Sequence, residues 1–75
     1  MEKTFRERIR ELREDNDLSQ TKIAQVLGTT QQVYSRYETG ENEMPIVHLI
    51  TLAKFYNVST DYILGLTNKR IGSGG

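Results

Sequence analysis

The sequence predicts an all-α fold of five short helices, and three observations set that class. Apolar residues recur three and four positions apart along most of the chain. Hydroxyl residues stand just ahead of these stretches and glycines just behind several of them, as helix caps do. No alternation of strand type runs for more than a few residues, and no internal repeat is present. With 75 residues the chain holds at most one domain, read as residues 1–67, with 68–75 as a flexible tail.

Each element has its own local reason. Thr4 and Glu7 have capping-box spacing, in which hydroxyl and carboxylate each satisfy the other's backbone N–H. Phe5, Ile9 and Leu12 then share one helical face until Asn16-Asp17 ends the first helix. Glu7 and Glu11 with Arg8 and Arg10 read as its solvated, salt-bridged side. Ser19 is the expected N-cap of a second helix, residues 20–27, burying Ile23, Ala24 and Leu27. Lys22 stands where a capping box would need a glutamate, and Gly28 is the left-handed stop. Thr29 makes the turn and Thr30 caps a third helix from Gln31 to about Glu38, with Tyr34 and Tyr37 inward and Gly40 ending it. After a loop at 40–44, Pro45 suits the first position of a fourth helix whose stripe is Leu49, Leu52, Ala53 and Tyr56. Ser59 caps a fifth that ends at Gly65, and Ile71-Gly-Ser-Gly-Gly reads as flexible tail.

Composition narrows the function classes. Leu, Ile, Val and Phe supply 19 of 75 residues at a net charge of +0, outside the corner occupied by disordered chains. With no cysteine there are no disulfides and no cysteine-ligated zinc, so a reducing cytoplasm is the expected compartment. No apolar run approaches the roughly 20 residues of a membrane span, and no signal-peptide pattern is read ahead of the first helix. His48 is the one histidine, which makes no convincing metal site. Ser59 and Asp61 are better read as a cap and a first-turn acid than as partners of His48 in a triad, and no glycine-rich phosphate loop exists. No enzyme, cofactor, metal or small-molecule ligand is expected.

The charge is unevenly spread. Residues 1–17 carry five bases against six acids, whereas residues 18–37 carry Lys22 and Arg36 and no acid. That middle stretch, LSQTKIAQVLGTTQQVYSRYETG in full to Gly40, carries the most information. Two short helices that cross steeply need a small residue at the crossing, and Ala24 is there. The tight turn between them needs a left-handed residue, and Gly28 follows four positions later. Tyr34 and Tyr37 supply the inner face of the second of these helices, while its outward first turn is Gln31-Gln32. Those amides have the donor and acceptor set that reads base edges in a major groove.

These residues resemble the Xre/Cro-type helix-turn-helix family, the repressors and Cro proteins of lambdoid phages and their bacterial relatives. The likeness rests on Leu18-Ser19-Gln20, Ala24, Leu27-Gly28, the Ser35-x-x-Glu38-x-Gly40 ending and the Ile9-Arg10-x-Leu12-Arg13 helix before them. Leu52-Ala53 and the stretch from Asn57 to Gly65 also fit, so the likeness runs over residues 5–66. It implies a compact lambda-repressor-like five-helix bundle and a sequence-specific regulator of transcription, a repressor by family habit, that binds double-stranded DNA as a homodimer.

The resemblance also implies roles for residues. Gln31, Gln32 and Arg36 correspond to base-reading positions, and Gln20 to a phosphate donor that braces Gln31. Arg13 and Glu38 correspond to a buried salt bridge between the first and third helices. Lys22, Thr30, Ser35 and Thr39 are candidate phosphate partners beside the N–H groups of helix starts. Blander readings stand beside these: Gln31 and Gln32 as exposed amides, Arg36 against guanine or phosphate, Val33 as a half-exposed filler or a contact to a thymine methyl. The dimer contact is expected on the fifth helix and beyond, at Tyr62, Ile63 and Leu66.

Two features depart from the family pattern. Tyr34 and Tyr37 replace commoner aliphatic residues, so their hydroxyls need partners. Glu41 and Glu43 occupy a loop where several relatives place bases against phosphate. With the zero net charge, that acidic loop sustains a second reading on the same fold: a protein-interaction module, such as an antitoxin-like partner.

Overall fold

The computed structural model describes residues 4–70. Five helices follow one another: α1 (Phe5–Asp15), α2 (Gln20–Leu27), α3 (Gln31–Thr39), α4 (Ile46–Tyr56) and α5 (Thr60–Ile63). The expected tail at Ile71–Gly75 lies outside the described residues. The Thr4–Glu7 capping box closes in both directions, and Ser19, Thr30 and Ser59 each accept an N–H three residues on. Four orphan N–H groups open every helix, and these side chains satisfy one of them each time.

Two glycines have distinct work. Gly28 ends α2 at φ +73°, letting Thr29 N–H return to the Ala24 carbonyl at 2.9 Å. That bond turns the chain sharply enough for α3 to cross α2. Gly40 ends α3 at φ +89°, and a Cβ there would also stand 2.5 Å from Arg6 Nε, whose side chain lies across it. The left-handed backbone disfavours any other residue at that position, and a Cβ would also displace the flexible Arg6 side chain.

The core joins all five helices: Ile9 and Leu12 from α1, Ile23, Ala24 and Leu27 from α2, Tyr34 and Tyr37 from α3, Leu52 and Ala53 from α4, Tyr62 and Ile63 from α5. Tyr34 and Tyr37 meet edge to face with centroids 6.3 Å apart. Phe5, Leu18, Val33, Leu49, Tyr56 and Val58 pack around this centre.

The structure corrects four expectations. Pro45 is the N-cap of α4 and not its first residue, because its ψ of 147° is extended; its carbonyl accepts from His48 and Leu49 N–H. Arg8 is not part of a solvated face: it is 5% exposed, its guanidinium 4.1 Å from the Tyr62 ring centroid and Nη2 donating to Asn68 at 2.8 Å. Tyr62 and Ile63 are core residues and leave little surface for a dimer contact, whereas Leu64 and Leu66 are 42% and 73% exposed. Residues 68–70, expected to begin the tail, return to the body through Asn68 on Arg8, the Arg70 carbonyl on Ser59 N–H, and Arg70 beside Asp15. Arg8 and the return of 68–70 have one physical reason: Arg8 and Arg70 both stand over the Tyr62 ring, a contact that spacing along α1 does not reveal.

Candidate nucleic-acid interface

The α2–turn–α3 unit carries a set of exposed polar side chains, among them Lys22, Thr30, Gln32 and Arg36. Ser19 and Thr30 cap the two helices at Lys22 N–H and Val33 N–H, at 3.0 and 3.2 Å. The other first-turn N–H groups of both helices stay available to an anion, and α3 contributes no acid before Glu38. Helical periodicity splits α3 into two faces. Tyr34 and Tyr37 are buried, while Gln32, Arg36 and Thr39 are exposed on the outer side. Ser35 is half-buried between them, and Lys22 is exposed on α2.

Gln31 lies on the flank of α3 that faces α2. Its Nε2 donates to Gln20 Oε1 at 2.6 Å, and Gln20 Nε2 donates to Glu38 Oε1 at 3.1 Å. Glu38 in turn takes a two-pronged ion pair from Arg13, Nε to Oε2 at 2.7 Å and Nη2 to Oε1 at 3.1 Å. The remaining Arg13 prong, Nη1, donates to the Leu18 carbonyl at 3.0 Å, so α1, the start of α2 and α3 are tied at one point. The side chains of this pair are 14% and 5% exposed, a largely dry setting in which a charge is tolerated only with its partner.

The electrostatics follow from that setting. Burial pushes the Glu38 carboxyl up, but hydrogen bonds from Arg13 and Gln20, with the Tyr34 hydroxyl close by, outweigh burial and hold it below the usual carboxylate value. Burial, and then the neighbouring Glu38, push the Tyr34 phenol far above its ordinary 10. Burial likewise pushes Tyr56 up to about 12. Among the described residues neither hydroxyl closes a hydrogen bond of good geometry, so the bulk that these two tyrosines bring to the core comes with unpaired polar atoms.

The other candidates divide. Val33 packs partly against the core, which favours the filler reading over an apolar base contact. The Thr39 hydroxyl donates to the Arg36 carbonyl at 3.3 Å, turned back on its own helix. Arg36 lies 3.9 Å from Glu41, both exposed, a weak and screened pair. The bond from Gln20 to Glu38 is one the sequence reading missed. The two residues are 18 apart and no local pattern joins them; only the crossing of α2 over α3 does.

Comparisons with known proteins agree with this geometry. A family model described as helix-turn-helix matches residues 9–63. The chain belongs to the Xre/Cro-like helix-turn-helix family. Among curated members, the HTH-type transcriptional regulator YobD of Bacillus subtilis is 39% identical over 62 residues, covering 83% of this chain and 55% of its own. The cryptic phage CTXphi transcriptional repressor RstR of Vibrio cholerae is 37% identical over 54 residues, covering 72% of this chain and 49% of its own. The chain thus spans about half the length of these helix-turn-helix relatives.

Solved helix-turn-helix structures superpose closely. A transcriptional regulator from Listeria innocua gives a TM-score of 0.80 at 28% identity, over 87% of this chain and 61% of that one. The P22 c2 repressor, solved with a synthetic operator, gives 0.75 at 29% identity, over 83% of this chain and 94% of that one. Among the described residues, no helix is long and apolar enough to cross a membrane.

Proposed function

We propose that this chain is a sequence-specific double-stranded DNA-binding regulator of transcription, acting as a repressor with α3 in the major groove. The observation that carries the reading is the acid-free first turn of α3, Gln31-Gln32, set on the outer end of a pair of helices braced by the Arg13–Glu38 ion pair. The likeness to a repressor solved on its operator supports it. Gln31 and Gln32 read base edges, Arg36 reaches a base or phosphate once it leaves Glu41, and Val33 borders the groove. Gln20, Lys22, Thr30 and Ser35 hold phosphates and set the register, joined by Thr39 once its hydroxyl leaves the Arg36 carbonyl. No cofactor takes part.

The regulator acts as a homodimer, since a single module makes few base contacts and paired half-sites supply the rest. Its contact surface is the exposed apolar set beside α5, not Tyr62 and Ile63. Leu64 and Ile46 line one groove of about 360 Å³, and Leu66, Val47 and Ile50 are also exposed.

Selection of bound duplexes from random sequence tests the proposal. A glutamine amide matches the N6 donor and N7 acceptor of adenine, so the selected half-site should hold A·T pairs at two neighbouring positions. Gln32→Ala should relax one of them with the salt dependence unchanged, whereas Lys22→Ala should weaken all sequences alike and lower the salt slope by about 1. A consensus untouched by both Gln31→Ala and Gln32→Ala would sink the assignment. The exposed Glu41 and Glu43 favour one other reading, a protein-interaction module. That alternative predicts a copurifying partner and no selected DNA.

A further inference from the structure

The hydrogen bonds around Gln20 have a direction. An ionised carboxylate can only accept, and Glu38 already accepts twice from Arg13. Gln20 must therefore face Glu38 with its NH2 group, as it does at 3.1 Å. Its oxygen is then turned toward α3, where Gln31 must face it with an N–H, as it does at 2.6 Å. Gln31 is left with its carbonyl oxygen and one N–H for anything outside. Among the described residues no hydrogen bond orients Gln32, whose exposed amide is free to turn over.

We propose that Glu38 is a positioning residue for base readout: acting through Gln20, it fixes which end of the Gln31 amide meets the base. This rests on the reading of α3 as the base-reading helix. An amide held with oxygen and one N–H outward matches adenine, which offers a donor and an acceptor in the major groove. Guanine offers two acceptors there, O6 and N7, and suits an amide that can turn its NH2 outward. The Gln31 position therefore separates A·T from G·C sharply. The Gln32 position, with the same side chain and no tether, does so less. Two adjacent glutamines thus read with different stringency.

The test has one arm without DNA and one with it. Gln31→Glu places a carboxylate oxygen against the Gln20 oxygen, which cannot turn away while Glu38 holds its NH2. In urea titrations of the free protein, Gln31→Glu should lower the folding constant about 10-fold more in the natural background than in a Gln20→Met background. The penalty should likewise shrink when Arg13→Met and Glu38→Leu are made together, a pair that removes the carboxylate without stranding the arginine. Equal penalties in all three backgrounds would overturn the relay. A penalty that shrinks with Gln20→Met but persists in the doubly substituted background would overturn the role of Glu38.

In the second arm, competition between duplexes measures A·T against G·C preference at each of the two positions. Gln20→Met should reduce that preference about 10-fold at the Gln31 position and leave the Gln32 position unchanged. Equal changes at both, or none, would overturn the proposal. Coupling in the first arm with no duplex selected by the natural protein would remove the DNA-binding reading instead, and leave the fixed polarity of the Gln31 amide standing.

Discussion

Helix α1 buries an arginine in each of two regions and treats them differently. Arg13 meets a carboxylate head on, with all three of its nitrogens engaged by Glu38 and the Leu18 carbonyl. Arg8 stands over the Tyr62 ring, gives one bond to Asn68 and leaves Nε buried with no partner among the described residues. A second cation, Arg70, stands 5.5 Å from the same ring centroid. In the first region a charge is neutralised, and the neutralised pair orders an amide at the outer end of α3. In the second a charge is only tolerated, over a ring whose face is weakly negative, and what it orders is the return of residues 68–70. The lesson is that burial of an arginine says nothing by itself; the partner decides whether it positions a site or packs a terminus.

The largest effect expected from this contrast is at Arg13. Arg13→Ala leaves Glu38 charged and buried, and should destabilise the fold by about 3–5 kcal/mol. Arg10→Ala removes an exposed pair with Glu14 and should cost under about 1 kcal/mol. Coincident urea midpoints for the two variants would show that the Arg13 pair contributes no more than a surface one.

Next comes Arg8. Arg8→Ala should cost about 2 kcal/mol, the scale of a desolvated cation over an aromatic face, and should speed hydrogen exchange at the Ser59 amide, whose N–H donates to the Arg70 carbonyl. Base selection by α3 should not change, because none of these contacts reaches Gln20 or Gln31. Altered selection in Arg8→Ala would merge the two regions that the structure keeps apart.

The smallest effect is the pH dependence, and it separates the regions again. The folded-state pKa of Glu38 is held below its ordinary value of 4.5. Its stabilisation is therefore fully present above pH 4.5 and is lost as pH falls through the lower, folded value. Between neutral pH and acid, Arg13→Met with Glu38→Leu should show a shallower loss of stability than the natural chain, whereas Arg8→Ala should keep the natural slope. Parallel acid profiles for the natural chain and the double variant would show that Glu38 titrates in the folded state as it does unfolded.

How much was legible in advance differs between these regions too. The caps at Thr4, Ser19, Thr30 and Ser59 and the glycine stops could be read one by one, because each depends on residues within four positions of itself. The Arg13–Glu38 pair was legible only by resemblance to a family, since nothing local links residues 25 apart. Arg8 was misread because it alternates with Glu7, Arg10 and Glu11 like any solvated charge. Its burial depends on Tyr62, more than 50 residues later. Pro45 was misplaced by one position, a difference set by a single ψ angle.

By itself, then, the amino-acid sequence determined the helices, their order, the sharp turn at Gly28 and the polar first turn of α3. Those features need only hydrogen bonds and steric preferences along a short stretch of backbone. Tertiary structure decided which charges are buried, which way the Gln20 and Gln31 amides point, and that Tyr62 and Ile63 belong to the core rather than to an interface. A side chain's partner across the fold is chosen by where helices cross. That choice is made by the packing of the whole core, which no local spacing encodes.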